Sequence, residues 1–340
     1  MRNVPLCKGL LHAPYVLMNN PARHLSMQGF DNPQDAVVIT GTSSGIGAAT
    51  AKYLHGRGYF VFAGIRQQQQ ADALAESFGR DPHLLPIILD VTRQDDIARA
   101  SEIVKETLSA RKLRLAGLVN NAADENLGPV EVLSLEVFRR EIEVGYLGAV
   151  SVTKAFLPLL RQAAGRIINM SSVNGRCTFK YHATTCATKY AIEAFSDALR
   201  MEVRPWGMQV SIIEPGPIDT PLMREKMVEE FTRKLAAYPR DQLDLYFQDF
   251  ADTIQHVEAF VERISAPPRG PLDKLRRLIN GQGWLHSPLD VARVIERALT
   301  SRRPKTRYLI GVQAKLIYAA RHLLSDRAFD RVLGENVFDF

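Results

Sequence analysis

Cysteine is scarce in this sequence: three residues in 340, Cys7, Cys177 and Cys186, an odd number with no CxxC pair. That argues against a disulfide framework or a zinc cluster and fits a reducing compartment, with idle thiols and no metal site expected. Long apolar runs are lacking too. None approaches the roughly 20 residues that span a bilayer, so no membrane crossing is expected. Acidic residues are missing from the first thirty positions, which carry Arg2, Lys8 and Arg23. This bias faintly resembles an organelle-targeting transit peptide. With little serine and several helix-interrupting prolines, however, residues 1–34 read better as a poorly ordered extension and the chain as cytoplasmic. A strong charge of either sign is also absent. The net charge of +6 is too diffuse for a nucleic-acid footprint, so no nucleic-acid partner is expected, while an anionic small molecule or a membrane surface suits it. What remains is an ordinary globular composition, 46% hydrophobic and 24% charged, long enough to bury a core without staples.

The character of the chain changes at Asp35, where Ala36, Val37, Val38 and Ile39 form a short apolar run ending in a glycine-rich turn. Comparable strand candidates recur at 59–65, 84–89, 115–120, 166–170 and 209–213. Helical patterns lie between them, at 48–55, at 95–108 after an opening Thr92, at 135–160 and at 185–203. Gln67 to Gln70 reads as a solvated helix start. Strand–helix alternation of this kind predicts the α/β class, a Rossmann-type doubly wound parallel sheet over 35–311. Regularity breaks between 217 and 286, which reads as a helical insertion over a substrate pocket. Ser287 and Pro288 then open a helix, and 308–310 reads as a last strand. The tail, 312–340, carries an apolar helical stripe (Val312, Leu316, Ile317, Ala320, Leu323, Leu324) flanked by Lys315, Arg321, Arg327 and Arg331. Such a stripe either packs on its own domain, the commoner outcome, or makes a peripheral membrane contact.

Directly after the first strand come Thr40, Gly41, Thr42, Ser43, Ser44, Gly45, Ile46 and Gly47, a GxxxGxG pattern opening a helix. Small residues there let the backbone approach a pyrophosphate, whose charge the free N–H groups and helix dipole attract. Strand before and helix after make this a dinucleotide loop rather than a tight packing turn. The second strand ends in Ile65-Arg66 with no carboxylate. An arginine there pairs a 2′-phosphate, with Ser44 as a second contact, so NADP(H) is expected over NAD(H).

These residues, followed by Asp90-Val91-Thr92, by Asn120-Asn121-Ala122, and by Pro215-Gly216 with Thr220, resemble the successive motifs of the short-chain dehydrogenase/reductase family. Within it the sequence is most similar to the branch acting on steroids, retinoids and related lipids. The resemblance implies that Asp90 and Val91 lie near the adenine, that Asn121 and Ala122 support the sheet and cofactor, and that Thr220 contacts the nicotinamide carboxamide. Ala123 stands where the family motif has glycine. The resemblance also implies a homo-oligomer and an apolar small-molecule substrate.

The family reduces carbonyls with a tyrosine acid/base, a lysine four residues later, a serine that orients the substrate oxygen and an asparagine in a proton relay. Ser172 and Lys189 match the serine and lysine. Counting back four from Lys189, or on thirteen from Ser172, arrives at Thr185 rather than tyrosine, and Gly145 occupies the asparagine's place. Thr185 is therefore expected to face the nicotinamide beside Ser172 and Lys189. A threonine hydroxyl does not titrate near neutrality and is a poor proton donor to an alkoxide. Tyr181 and His182, and more remotely Tyr146 and Tyr190, are local substitutes, though all four read more simply as pocket-wall residues. Tyr190 is about 100° around the helix from Lys189 and should face elsewhere. Two readings follow. One is an NADP(H)-dependent oxidoreductase with an atypical site, acting on a bulky apolar carbonyl, imine or alcohol and favouring acceptors such as iminium ions that need no proton. The other is a non-redox, cofactor-binding regulator or scaffold of the same fold.

Overall fold

Strand β1 (Asp35–Thr40) is buried at every position, and its side chains alternate between two cores. Ala36 and Val38 face one, Val37 and Ile39 the other, as a strand covered on both faces requires. The computed structural model describes residues 34–220, Tyr246, Gly270, Leu272 and 286–334. Within these, seven parallel strands lie in the order β3-β2-β1-β4-β5-β6-β7. They are β1, β2 (Phe60–Ile65), β3 (Leu84–Ile88), β4 (Arg114–Asn120), β5 (Arg166–Met170), β6 (Gln209–Pro215) and β7 (Arg307–Ile310). The doubly wound parallel sheet is the predicted fold.

Helix α1 (Gly45–Gly56) packs on one face, α2 (Gln68–Ser77) lies beyond β2, and α3 (Gln94–Arg111) packs on the other face. Thr92 does not open α3 as expected; its hydroxyl donates to Asp90 Oδ1 at 2.7 Å, and the N-cap is Arg93. The single helix expected over 135–160 is α4 (Leu135–Ile142), a π-turn (Glu143–Leu147) and α5 (Gly148–Gln162). Glycines allow this segment its close approaches: a Cβ on Gly148 would stand 2.7 Å from Val91 Cγ2, and one on Gly145 2.5 Å from Thr188 Cγ2. The run Leu135–Gln162 has the length and hydropathy to cross a bilayer, yet its Val152, Phe156 and Leu160 are fully buried in the core beneath the sheet.

Helix α6 (Ala183–Val203) follows β5, and α7 (Pro288–Thr300) packs beside α1 behind a capping box made by Ser287 and Asp290. Most of the insertion expected at 217–286 lies outside the described residues. Its two ends meet, with Ile218 bridging His286 and Asp219 N–H donating to the His286 carbonyl at 2.8 Å. In the tail, α8 (Val312–Leu323) and α9 (Asp326–Gly334) turn Ala314, Ile317, Ala320, Leu324 and Phe329 onto Val173 and Cys177. Half of the predicted stripe is thus internal packing, while Leu316 and Leu323 stay 52% and 82% exposed.

Candidate active site

The glycine loop sits at the carboxyl end of β1, where the strand order reverses between β1 and β4, the usual ligand position in such sheets. Gly41 and Gly45 have positive φ, +68° and +57°. Gly47 admits no side chain at all, since a Cβ would lie 2.1 Å from the Gly41 carbonyl oxygen. Thr42 ties the loop to β2, donating from N–H and Oγ1 to the Gly64 carbonyl at 3.0 and 3.1 Å. Ser43 and Ser44 stay exposed, Ile46 is half-buried, and the Ser44 side chain caps no helix donor. A loop of this shape, with free N–H groups on a helix start, fits a pyrophosphate.

Asn121 Nδ2 donates to the Thr40 and Gly41 carbonyls at 3.0 and 3.1 Å, while Thr40 Oγ1 accepts from the Asn121 and Ala122 N–H groups, each at 2.9 Å. These bonds fasten the end of β4 to the loop. Thr220 lies over the same loop, its Cγ2 3.5 Å from where a Gly45 Cβ would be. Gly216 N–H donates to the Ile310 carbonyl at 2.9 Å, which fixes the Pro215-Gly216 turn on β7. Arg66 is exposed at the end of β2. Burial pushes Asp90 up, but hydrogen bonds from Thr92 and the charges of Arg140 and Arg66 outweigh it and leave the carboxyl below its ordinary pKa. Arg66 therefore lies close enough to Asp90 for its charge to be felt. Val91, next in the chain, is buried against Gly148 at the start of α5.

Ser172 lies two residues past β5; its Oγ accepts from Asn174 N–H at 3.2 Å and lies 3.5 Å from the Pro215 carbonyl. Lys189 is buried on α6, donating from Nζ to the Met170 carbonyl at 3.3 Å. Burial holds its pKa below the usual lysine value, against the opposing pull of Glu125, Glu141 and Glu193. Ser172 and Lys189 thus both gather at the end of β5.

Thr185 is 2% exposed, and its hydroxyl is directed at a carboxylate, 2.6 Å from Glu141 Oε1. Thr188 fills the space an asparagine would need at 145, and its own buried Oγ1 has no hydrogen-bond partner among the described residues. Tyr181 has a positive φ of 66° and lines a cavity of about 440 Å³ with Gly128, Val130, Lys180 and Tyr246. His182 is half-buried and held by the Lys180 carbonyl at 2.8 Å. Tyr146 packs edge-on against Phe195, and Tyr190 is 41% exposed, turned away as the helix register predicts.

Sequence reading missed Glu141. It is fully buried on α4, one helical turn before Gly145, and its Oε2 accepts from Asn126 Nδ2 at 3.3 Å. Burial raises its pKa, only partly opposed by the hydrogen bonds of Thr185, Thr184 and Asn126, and Glu125 raises it further. The i, i+4 spacing to Gly145 was the available signal, but the run Arg139-Arg140-Glu141-Ile142-Glu143 reads as a solvated face.

A parallel doubly wound sheet with this loop at its switch point defines a dinucleotide-binding α/β protein. The model of the short chain dehydrogenase family matches residues 35–231, and the chain belongs to that family, the short-chain dehydrogenases/reductases. It is 42% identical over 183 residues to the mitochondrial D-beta-hydroxybutyrate dehydrogenase of Bos taurus, a match covering 53% of each chain. The chain thus spans about half the length of that relative. Similarity extends further with retinol dehydrogenase 5 of Mus musculus, 34% identical over 299 residues and 87% of both chains. The same holds for 17-beta-hydroxysteroid dehydrogenase type 6 of Bos taurus, 34% identical over 302 residues and 87% of both. These matches place the chain in the steroid- and retinoid-dehydrogenase-like branch. Among solved structures, a short-chain dehydrogenase from Streptomyces avermitilis superposes with a TM-score of 0.62 at 25% identity, covering 89% of this chain and 97% of that one.

Proposed function

We propose that the protein is an NADP(H)-dependent oxidoreductase of a bulky apolar carbonyl, imine or alcohol, working from an atypical site in a domain spanning 35–311. The observation that carries this reading is the loop in which Gly47 has no room for a Cβ and the Gly41 and Gly45 backbones take glycine conformations. A packing turn has no need to stand at the switch point of the sheet, ahead of a helix start. Gly41 to Gly47 would hold the pyrophosphate, Ser44 and Arg66 the 2′-phosphate, and Thr220 the nicotinamide side, with Asn121 keeping the loop in shape. When bound, the cofactor supplies or accepts the hydride. Lys189 would hold the nicotinamide ribose, and Ser172 would orient the substrate oxygen. The substrate class follows from the family branch, whose named members act on steroids and retinol. Fluorescence titration should show tighter binding of NADPH than NADH, and a panel of apolar ketones, imines and enones should then oxidise NADPH. Equal affinity for both cofactors would refute the phosphate assignment.

A second reading, a cofactor-binding regulator without redox chemistry, is favoured by Thr188 occupying the asparagine's space. Cofactor binding without oxidation by any acceptor would select it.

A further inference from the structure

A residue that neither motif contains bonds to one vacated catalytic position and lies four residues before the other. Gly145 lies four residues after Glu141 on the α4 side, and Thr185 lies four before Lys189 on α6. The Glu141 carboxyl crosses between the helices to put Oε1 2.6 Å from Thr185 Oγ1. We propose that Glu141 and Thr185 together replace the missing tyrosine as a proton relay, Glu141 holding the proton and the Thr185 hydroxyl passing it to the substrate oxygen. This rests on the oxidoreductase reading above.

A hydroxyl both donates and accepts, so Thr185 can receive a proton from Glu141 while giving its own away. In ketone reduction the carbonyl carbon gains hydride and the C=O π pair moves to oxygen. That oxygen takes the Thr185 hydroxyl proton; the Thr185 oxygen takes the Glu141 proton; Glu141 is left as carboxylate. In alcohol oxidation each transfer reverses. The overall reaction consumes one proton from solvent per carbonyl reduced, restored to Glu141 through Thr185 when product leaves.

The surroundings shift Glu141 toward its neutral form. Glu141 is fully buried, and Glu125 faces it from the loop after β4 with the amide of Asn126. From α6 the nearby groups are Thr184, Cys186 and Lys189. Burial, the largest influence, and Glu125 favour the protonated acid, whereas the hydrogen bonds of Thr185, Thr184 and Asn126 and the charge of Lys189 favour the anion that proton donation leaves. An acid needs both: a proton at rest and a stabilised charge after its departure.

The relay predicts activity that a lone threonine does not. With Thr185 alone, iminium ions are the favoured acceptors because their nitrogen needs no proton during hydride transfer; with Glu141 behind it, ketones are reduced too. Glu141→Gln keeps an acceptor for Thr185 but carries no transferable proton. Its ketone-to-iminium rate ratio should fall by about 10² to 10⁴ relative to the unmodified protein, with NADPH affinity by fluorescence unchanged within about twofold. A loss of fold or pocket shape would depress both substrates and leave the ratio alone. Infrared difference spectra between the unmodified protein and Glu141→Gln at neutral pH should contain a carboxylic-acid carbonyl band. Should Glu141→Gln fail to fold, Thr185→Val severs the same link, with the same fall in ratio expected. An unchanged ratio in a folded variant, or a carboxylate band in place of the acid band, overturns the relay and leaves the oxidoreductase reading standing. An unmodified protein that binds NADPH but reduces neither acceptor overturns both.

Discussion

Arg66 is a single exposed side chain at the end of β2 whose charge already reaches Asp90. Pairing a phosphate by charge-assisted hydrogen bonds is worth about 1.5–3 kcal/mol, so Arg66→Ala should weaken NADPH binding roughly tenfold or more and leave NADH nearly untouched. Parallel fluorescence titrations of both cofactors measure this directly, and an equal loss for both would show that Arg66 does not read the phosphate. Gly47 makes a sharper case. Its missing Cβ would lie 2.1 Å from the Gly41 carbonyl oxygen and 2.6 Å from Asn121 Nδ2. Gly47→Ala must therefore displace the loop backbone, the surface assigned to the pyrophosphate. Thermal melts with and without NADPH should show the variant losing the cofactor-induced rise in Tm; a full rise would mean that the loop is not the cradle.

At the scale of the element, the π-turn Glu143–Leu147 sets Gly145 against α6, and Thr188 takes up the room. Restoring the family residue alone should therefore fail. Gly145→Asn forces a Cβ to within 2.5 Å of Thr188 Cγ2, an overpacking that typically costs about 1–3 kcal/mol. Adding Thr188→Ala should recover most of that loss, because the two sites share one space. Urea unfolding of the two single variants and the double variant gives the coupling energy, and additive losses would show that they are independent. This pairing was invisible in the sequence. A continuous apolar run and the glycines after it made β1 and its loop legible, and the helix period, which marks every third or fourth residue, did the same for α6. The Thr185 register was legible for the same reason. Which way its hydroxyl turns was not, because that depends on a carboxylate 44 positions away. The π-turn escaped because it adds a backbone step without changing the apolar pattern of the run.

Across the whole molecule, the wall behind Ser172 is held by buried charge. Arg307 of β7 lies 3.0 Å from Glu193 of α6, 2.7 Å from Asp197 and 3.7 Å from Glu214 of β6, while Arg176, just past the Ser172 turn, lies 3.5 Å from Glu214. Glu214 is adjacent to Pro215, whose carbonyl faces Ser172 Oγ. Sequence gave no sign of this network, since its members come from distant segments and each alone reads as a surface charge. Burial, and then the neighbouring Glu193 carboxylate, push Glu214 up to about 7, against the opposing pull of Arg176 and Arg307. The native state thus keeps a proton on Glu214 that the unfolded chain, with an ordinary glutamate near 4.5, releases. Wherever the native state binds more protons, stability falls as pH rises. The contribution is fully present below about pH 4.5 and lost by about pH 7, amounting to on the order of 3 kcal/mol at about 1.4 kcal/mol per pH unit. Glu214→Gln, neutral at every pH, should flatten this part of the profile. Urea unfolding of both proteins at intervals from pH 5 to pH 8 should therefore show the unmodified protein losing stability relative to Glu214→Gln as pH rises. Parallel profiles would mean that Glu214 is already ionised in the native state and that the arginines, not a retained proton, balance the Glu193 charge.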